Sequence, residues 1–417
     1  MKYCITTPHT LACDILLPAS KSISNRALII RALAQSSHPI HHLAKCDDTE
    51  VILNALSSKD TTIDIGAAGT AMRFLTAYYA TQEGCDITIT GSERMQQRPI
   101  APLVEALQQL GARITYLGKE GFPPLRIEGS KLQGGHISMP GNISSQFISA
   151  ILLIAPYLQE ELHIGLQGDI LSLPYIDMTI SMMRYFGASV TRNGNRIVTQ
   201  PSPYEYRPFD IEPDYSAASY WYEIATLSGQ SYHLPHLPAT SLQGDAMIAT
   251  YATLWGVRTA FDSNGATITP SQASNDKPLN LNLMGEPDLA QTIALTCALK
   301  GQHFTIEGIG NLRIKESNRI EALISEAAKL GFIFTSPGSD TLVWNGERCP
   351  IEYPIIIDTH NDHRMAMAFA PAALFYKEIW IDNPSVVNKS YPNFWNDLQQ
   401  AGFIITNNET KENHSCL

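Results

Sequence analysis

The chain has 417 residues, 44% of them hydrophobic and 17% charged, with a formal net charge of −11. That length exceeds one ordinary hydrophobic core and points to two domains of about 200 residues each. The charge argues against nucleic acid or an anionic membrane as the main partner, though not against a small anionic substrate.

The first residues lack the cationic stretch and apolar run of a secretory signal. The most apolar window, around Ile148 to Leu158, is too short to span a bilayer and contains Pro156. A soluble, cytoplasmic protein is therefore expected. Cys4, Cys13, Cys46, Cys85, Cys297, Cys349 and Cys416 lie far apart with no CxxC pair, which reads as reduced thiols and not as a disulfide framework or a zinc site.

In chain order the elements follow a repeated scheme. SKSISNRAL from Ser20 opens a helix, and so does GAAGTAMRFL from Gly66. QQLGARITYL, around Gly111, is a helix that stops at glycine and hands on to a strand. GNISSQFISAILL from Gly141 opens another helix, and RYFGASVTRN stops one at Gly187. PDYSAASYWYEI from Pro213 and TLWGVRTAF around Gly256 repeat the pair, then EPDLAQTIAL from Glu286 and AKLGFIFTS around Gly331. NDHRMAMAFAPAAL from Asn361 and QQAGFIITN around Gly402 complete the run.

Each of these five glycines is expected just past a helix end, in the left-handed conformation, with a strand following. Their spacing of about 70 to 76 residues marks an internal repeat. The helix starts are rich in Ser, Thr, Asp, Asn and Gly, the residues that cap helix N-termini. Such termini present free N–H groups and positive dipole, and they bind anions. Several of them aimed at one place would suit phosphates and carboxylates. The whole reads as α/β in two similar halves, with crossings near Leu17-Pro18 and near Ile211-Glu212-Pro213. The last residues, NNETKENHSCL, are polar and expected to fray. Cys416 is one from the end and forms no prenylation box.

Common catalytic motifs are missing. GAAGTAMR lacks the Gly-Lys-Ser/Thr ending of a phosphate-binding loop, and there is no GxSxG. His360 and His363 in THNDHR have no third ligand at zinc spacing, so they read as a capping loop. What remains are cations in small, polar loops: Lys21, Arg26, Arg98, Lys315, Arg319, Arg364 and Lys389, with Glu316 between Lys315 and Arg319. An arginine beside Gly, Ser or Asn at a helix start aims a fork of donors where backbone N–H groups also point.

The blocks around these cations resemble, in order, those of the 5-enolpyruvylshikimate-3-phosphate synthase family. They are LPASKSISNRALIIRALA from Leu17, GAAGTAMRFL from Gly66, RMQQRPI from Arg94 and ISSQF from Ile143. SLPYIDMT from Ser172, RIKESNR from Arg313, NDHRMAM from Asn361 and NKSYPNF from Asn388 follow. The likeness runs from Leu17 to Phe394.

It implies two domains, each of three βαβαββ-type units with helices packed inward, and substrates bound in the cleft between them. One domain would be discontinuous, 1–18 with 212–417, carrying Asp288, Glu316, Arg364 and Lys389. The inserted domain, 19–211, would carry Lys21, Arg98 and Ser144.

The resemblance also implies site roles. Lys21, Ser22 and Arg26 would hold the shikimate carboxylate. Ser144, Ser145, Ser172 and Lys315 would receive the 3-phosphate of shikimate 3-phosphate, with Gln146, Tyr175 and Asn311 lining the same substrate. Lys21, Gly69, Arg98, Gln146, Arg319, Arg364 and Lys389 would grip phosphoenolpyruvate. Asp288 would bond the ring hydroxyls and Glu316 would lie beside the reacting methylene. Asp288, Glu316 and Lys21 are the catalytic candidates. No cofactor or metal is implied, and a monomer is expected.

Two details refine the resemblance. Where the family often has Asn-Ala-Gly-Thr, this chain has Ala67-Ala68-Gly69-Thr70, so a side-chain amide is lost while the glycine stays. The related transferases that act on UDP-N-acetylglucosamine carry a reactive cysteine in a mobile loop. Aligning their Arg-Pro with Arg98-Pro99 puts Glu93 at that cysteine's position.

Overall fold

In a computed structural model, which describes residues 1–7, 14–271 and 277–407, four of the five repeated glycines end their helices identically. The N–H of Gly111 bonds to the carbonyl of Gln108, and the N–H of Ala112 to that of Leu107. Gly187 with Ala188, Gly331 with Phe332 and Gly402 with Phe403 repeat this pair of bonds, and the four glycines have φ of 96, 90, 86 and 102°. This double bond absorbs the last carbonyls of the helix and needs a positive φ, which glycine adopts without a Cβ penalty. Gly256 also has a positive φ and ends a continuous helical run, α over Ile248–Tyr251 and 3-10 in its last turn, Ala252–Trp255. Strands follow Gly111, Gly187, Gly256 and Gly402, whereas Gly331 leads only into isolated bridges at Phe332 and Thr335. Cys13, Cys416 and the polar tail from 408 lie outside the described residues.

The chain divides into two compact units, Ala19–Ile211 and Met1–Pro18 with Glu212–Leu417. The continuous unit contains the βαβαββ pattern twice. Strand Thr62–Asp64, helix Gly69–Ala80, strand Asp86–Thr90, helix Ala101–Gln109 and strands Arg113–Tyr116 and Leu125–Glu128 form the first. Its first two strands pair parallel and the other pairings are antiparallel. Strands Gly135–Pro140, Leu162–Gln167, Val190–Asn193 and Arg196–Thr199, with helices Ser145–Ile154 and Leu173–Tyr185, repeat the order and the pairing. A reduced third copy keeps helices Lys21–Leu33 and Asp47–Ser57 beside a two-stranded parallel ladder, Ile40–His41 with Phe209–Asp210.

In the discontinuous unit the last copy is closed by the N-terminus. Strand Lys2–Thr6 pairs antiparallel with Glu378–Asp382 and with Ile404–Asn407, taking the place of a final strand from the end of the chain. Among the described residues, the other two sheets there have three strands each.

Helices at the centre of each unit are buried on all sides, as a helix apolar all round must be. Every residue of Ser145–Ile154 except Gln146 is buried, and every residue of Ala290–Lys300 except Lys300. Among the described residues no helix is long and apolar enough to cross a membrane.

Candidate active site

Within Ala19–Ile211, side-chain bonds join residues that sit at similar distances from their helix starts. Gln146 Nε2 donates to Thr70 Oγ1 at 3.2 Å, second residue to second residue. Arg26 donates Nε to Thr179 Oγ1 (2.7 Å) and Nη2 to Ser149 Oγ and the Tyr175 carbonyl (both 3.2 Å). The N-terminal ends of Gly69–Ala80 and Ser145–Ile154 therefore meet, and Arg26 ties Lys21–Leu33 to the first halves of Ser145–Ile154 and Leu173–Tyr185. Helix N-termini that meet in this way gather N–H groups and partial positive charge, which suit an anion.

The predicted residues of this unit line that end. Lys21 is the first residue of its helix, with Nζ 3.2 Å from Asp48 Oδ2. Ser22 lends its carbonyl to Arg26 Nη1 at 2.8 Å. Arg26 is thus bonded through four of its five N–H groups, and burial lowers its pKa to about 10. Ser144 caps its own helix by accepting from the Gln146 N–H at 3.4 Å. Ser145 is buried next to it, and Ser172 precedes the helix Leu173–Tyr185 with a left-handed φ of 54°. Gln146 Oε1 is buried with no hydrogen-bond partner among the described residues, an acceptor for which a hydroxyl or ammonium donor is missing.

Gly69 and Arg98 are in contact. A Cβ on Gly69 would stand 2.6 Å from Arg98 Nη1. Behind them the buried Arg73 donates to the carbonyls of Gly69 (3.3 Å) and Pro99 (3.1 Å), and so fixes the loop that carries Arg98. The preceding Ala68 offers no side-chain cap, which leaves the start of the helix Gly69–Ala80 to other partners.

The second set lies in the discontinuous unit and is a compact lattice of opposite charges. Arg319, first residue of helix Arg319–Lys329 and 2% exposed, donates to three carboxylates. These are Asp362 Oδ2 at 2.7 Å, Asp288 Oδ1 at 2.9 Å and Glu316 Oε2 at 3.0 Å. Arg364 takes the other oxygen of Asp288 at 3.0 Å, and Lys315 Nζ lies 3.6 Å from Asp288 Oδ1. Lys389 Nζ stands 3.7 Å from Glu316 Oε1. Asp362 caps helix His363–Phe369 by accepting from the Arg364 N–H. Asn311 is buried in the 3-10 turn Gly310–Ile314 that leads into Lys315.

Asp288 is not a helix cap here. Helix Ala290–Lys300 has Leu289 at its N-cap, and the Asp288 carboxylate is spent on cations. Burial pushes that carboxyl up, but Arg364, Lys315 and Arg319 together outweigh burial and hold it well below the usual carboxylate range. Glu316 makes an ion pair with Arg319 and reaches Lys389 with its other oxygen.

Several residues at these sites had no signal in the sequence. Asp245, 2% exposed, bonds Ser216 Oγ, and Ser216 in turn accepts from Arg364 Nη2 at 3.3 Å. Burial raises the Asp245 pKa to about 7, with Arg364 opposing and Asp288 reinforcing. Asp48, Asp362, Thr179 and Ser149 likewise look like ordinary helix residues until folding sets them beside Lys21, Arg319 and Arg26. His360 bonds Glu326 Oε1 at 3.1 Å, and His363 Nδ1 lies 3.6 Å from Asp362 Oδ1.

The family model of EPSP synthase (3-phosphoshikimate 1-carboxyvinyltransferase) matches residues 5–58 and 55–398. A protein of Bacteroides fragilis named 3-phosphoshikimate 1-carboxyvinyltransferase is 49% identical over 407 residues, 97% of this chain and 99% of its own. One of the same name from Sulfurovum sp. is 35% identical, covering 93% of this chain and 96% of its own. The structure of an EPSP synthase from Acinetobacter baumannii superposes with a TM-score of 0.76 at 22% identity, covering 98% of this chain and 100% of that one. The fold is shared with it.

Proposed function

This chain belongs to the EPSP synthase (3-phosphoshikimate 1-carboxyvinyltransferase) family, and from that membership we propose how its residues carry the reaction. The activity is enolpyruvyl transfer from phosphoenolpyruvate to shikimate 3-phosphate. The observation that best supports the residue roles is the cation lattice around Asp288 and Glu316, which sets two carboxylates within reach of four cations.

The 5-hydroxyl oxygen of shikimate 3-phosphate attacks C2 of phosphoenolpyruvate. Its proton passes to Asp288, and Glu316 delivers a proton to C3. The ketal that results then loses a proton from C3, the C2–O bond to phosphate breaks, and phosphate departs. Lys21 accompanies Asp288 at the hydroxyl. Arg98, Arg319, Arg364 and Lys389, together with the N–H groups at Gly69, stabilise the charge on phosphoenolpyruvate and on the ketal. Ser144, Ser145, Ser172 and Lys315 take the 3-phosphate. Lys21, Ser22 and the remaining donor of Arg26 take the carboxylate, while Gln146, Tyr175 and Asn311 line the ring. Gln146, with its unmet acceptor, suits a substrate hydroxyl.

A carboxylate held as low as Asp288 is a weak base. Substrate anions that engage Arg364, Lys315 and Arg319 withdraw those cations from Asp288 and add negative potential beside it. Both effects raise its proton affinity when it is needed. Residues of 19–211 bring the donors for the first set, and residues of 212–417 bring the acid, the base and the remaining cations. The protein works as a cytoplasmic monomer on small molecules, without metal or organic cofactor.

The test is phosphate release. Both substrates together should release phosphate, either one alone should not, and EDTA should leave the rate intact. UDP-N-acetylglucosamine should not replace shikimate 3-phosphate, since Glu93 stands at the position of the other family's cysteine. Turnover of the nucleotide sugar at a comparable rate would overturn the reading.

A further inference from the structure

Glu326 lies two turns beyond Arg319 on one face of helix Arg319–Lys329, about 10 Å along its axis. Its side chain is 2% exposed and accepts from four groups. These are Lys329 Nζ at 2.6 Å, the Asp358 N–H at 2.8 Å, His360 Nε2 at 3.1 Å and Ser325 Oγ at 3.2 Å. Two of the four come from the segment that leads into helix His363–Phe369.

That segment runs antiparallel along the helix. The Ile356 carbonyl accepts from Lys329 Nζ at 3.0 Å, Asp358 and His360 meet Glu326, and Asp362 meets Arg319. Glu326 is the middle rung of this ladder. Next to it the backbone takes an uncommon course. His360 and Asn361 both have left-handed φ, 49 and 55°, and Asn361 Oδ1 is held by Asn383 Nδ2 at 2.8 Å. Two consecutive residues other than glycine stay in that region only where their surroundings over-determine it. Immediately after them come Asp362 and Arg364.

We propose that Glu326 is a positioning residue for this reaction: it holds the segment 356–362 against helix Arg319–Lys329 so that Asp362 meets Arg319 and Arg364 meets Asp288. It touches none of the reacting atoms and acts through those two arginines, so the proposal rests on their assignment to phosphoenolpyruvate. An error of an ångström in their placement is enough to weaken binding 10- to 100-fold, in order of magnitude.

The experiment compares Glu326→Ala and Glu326→Gln with the wild-type chain, with Leu323→Ala as a control that loses core packing in the same helix. Steady-state rates are read against phosphoenolpyruvate at saturating shikimate 3-phosphate, beside titration of shikimate 3-phosphate and thermal melts. Glu326→Ala should raise KM for phosphoenolpyruvate about tenfold and leave shikimate 3-phosphate affinity within about twofold. Glu326→Gln should fall between, since its single amide oxygen can still accept from the Asp358 N–H. Leu323→Ala should melt lower with an unchanged KM. If both Glu326 variants melt lower but keep the wild-type KM, or lose both substrates equally, the role is structural only. Should the alanine variant fail to fold, the glutamine variant decides alone. An inactive wild-type chain would defeat the functional reading instead, whereas an active one with unchanged variants defeats only the role of Glu326.

Discussion

Arg319 Nη1 and Asp288 Oδ1 stand 2.9 Å apart, 31 residues distant in the chain, and each also binds further groups of opposite charge. Arg319, Arg364, Lys315 and Lys389 are thus paired with the chain's own carboxylates. On the proposed roles, an anion bound there exchanges partners with these carboxylates.

Replacing Asp288 with Asn should destabilise the protein near neutral pH, because Arg319, Arg364 and Lys315 lose a shared anion. The pKa is depressed in the folded state, so its stabilisation is present above the ordinary carboxylate pKa and lost as pH falls below it. The difference in melting temperature between wild type and Asp288→Asn should thus shrink on acidification below about pH 4. A constant difference down to pH 3 would contradict the cation control of Asp288. Asp288→Ala should also lower both turnover and shikimate 3-phosphate affinity.

On the proposed roles, Glu316→Gln keeps the shape and one acceptor oxygen but removes the proton donor for C3. Titration should show shikimate 3-phosphate binding close to wild type while kcat falls by roughly 10²- to 10⁴-fold. Exchange of solvent deuterium into C3 of phosphoenolpyruvate should fall with it. Normal turnover and exchange in this variant would make Glu316 a partner of Arg319 and nothing more.

Gly69→Ala sets a methyl group against Arg98, 2.6 Å from Nη1. A guanidinium can yield, so the fold should survive, but Arg98 must leave its place. KM for phosphoenolpyruvate should rise roughly 10- to 100-fold with little change for shikimate 3-phosphate. Isothermal titration of both ligands checks this, and equal losses for the two would point to a wider distortion.

Asp245 has the opposite sign from Asp288. Its folded pKa, about 7, lies above the unfolded value, so its contribution is present below the ordinary carboxylate pKa and declines as pH rises towards 7. Asp245→Asn removes that penalty. Its melting temperature relative to wild type should climb between pH 5 and pH 8, by roughly 2–4 °C for each kcal/mol relieved in a unit of this size. A flat difference would mean that Asp245 stays ionised throughout.

The glycine stops were legible because they are local. A helix end, a left-handed residue and the following strand are decided within a few positions, and Gly111, Gly187, Gly331 and Gly402 use the same two bonds. Gly256 ends a helical run in the same left-handed conformation, and what periodicity does not separate there is the 3-10 turns at Gly244–Met247 and Ala252–Trp255 from the α-helix Ile248–Tyr251 between them. Family blocks made the cations recognisable one by one. Of their partners, Asp288 and Glu316 were named by the same resemblance, and the others were not legible. Arg26 reaches Thr179 across 153 residues, Arg364 reaches Ser216 across 148 and Lys21 pairs with an aspartate in the next helix. No local pattern distinguishes Asp48, Asp245 or Asp362 from any other acid near a helix start. Whether a cation is paired, and how tightly a carboxylate holds its proton, depends on burial and on charges a few ångströms away. Only the folded chain supplies those distances.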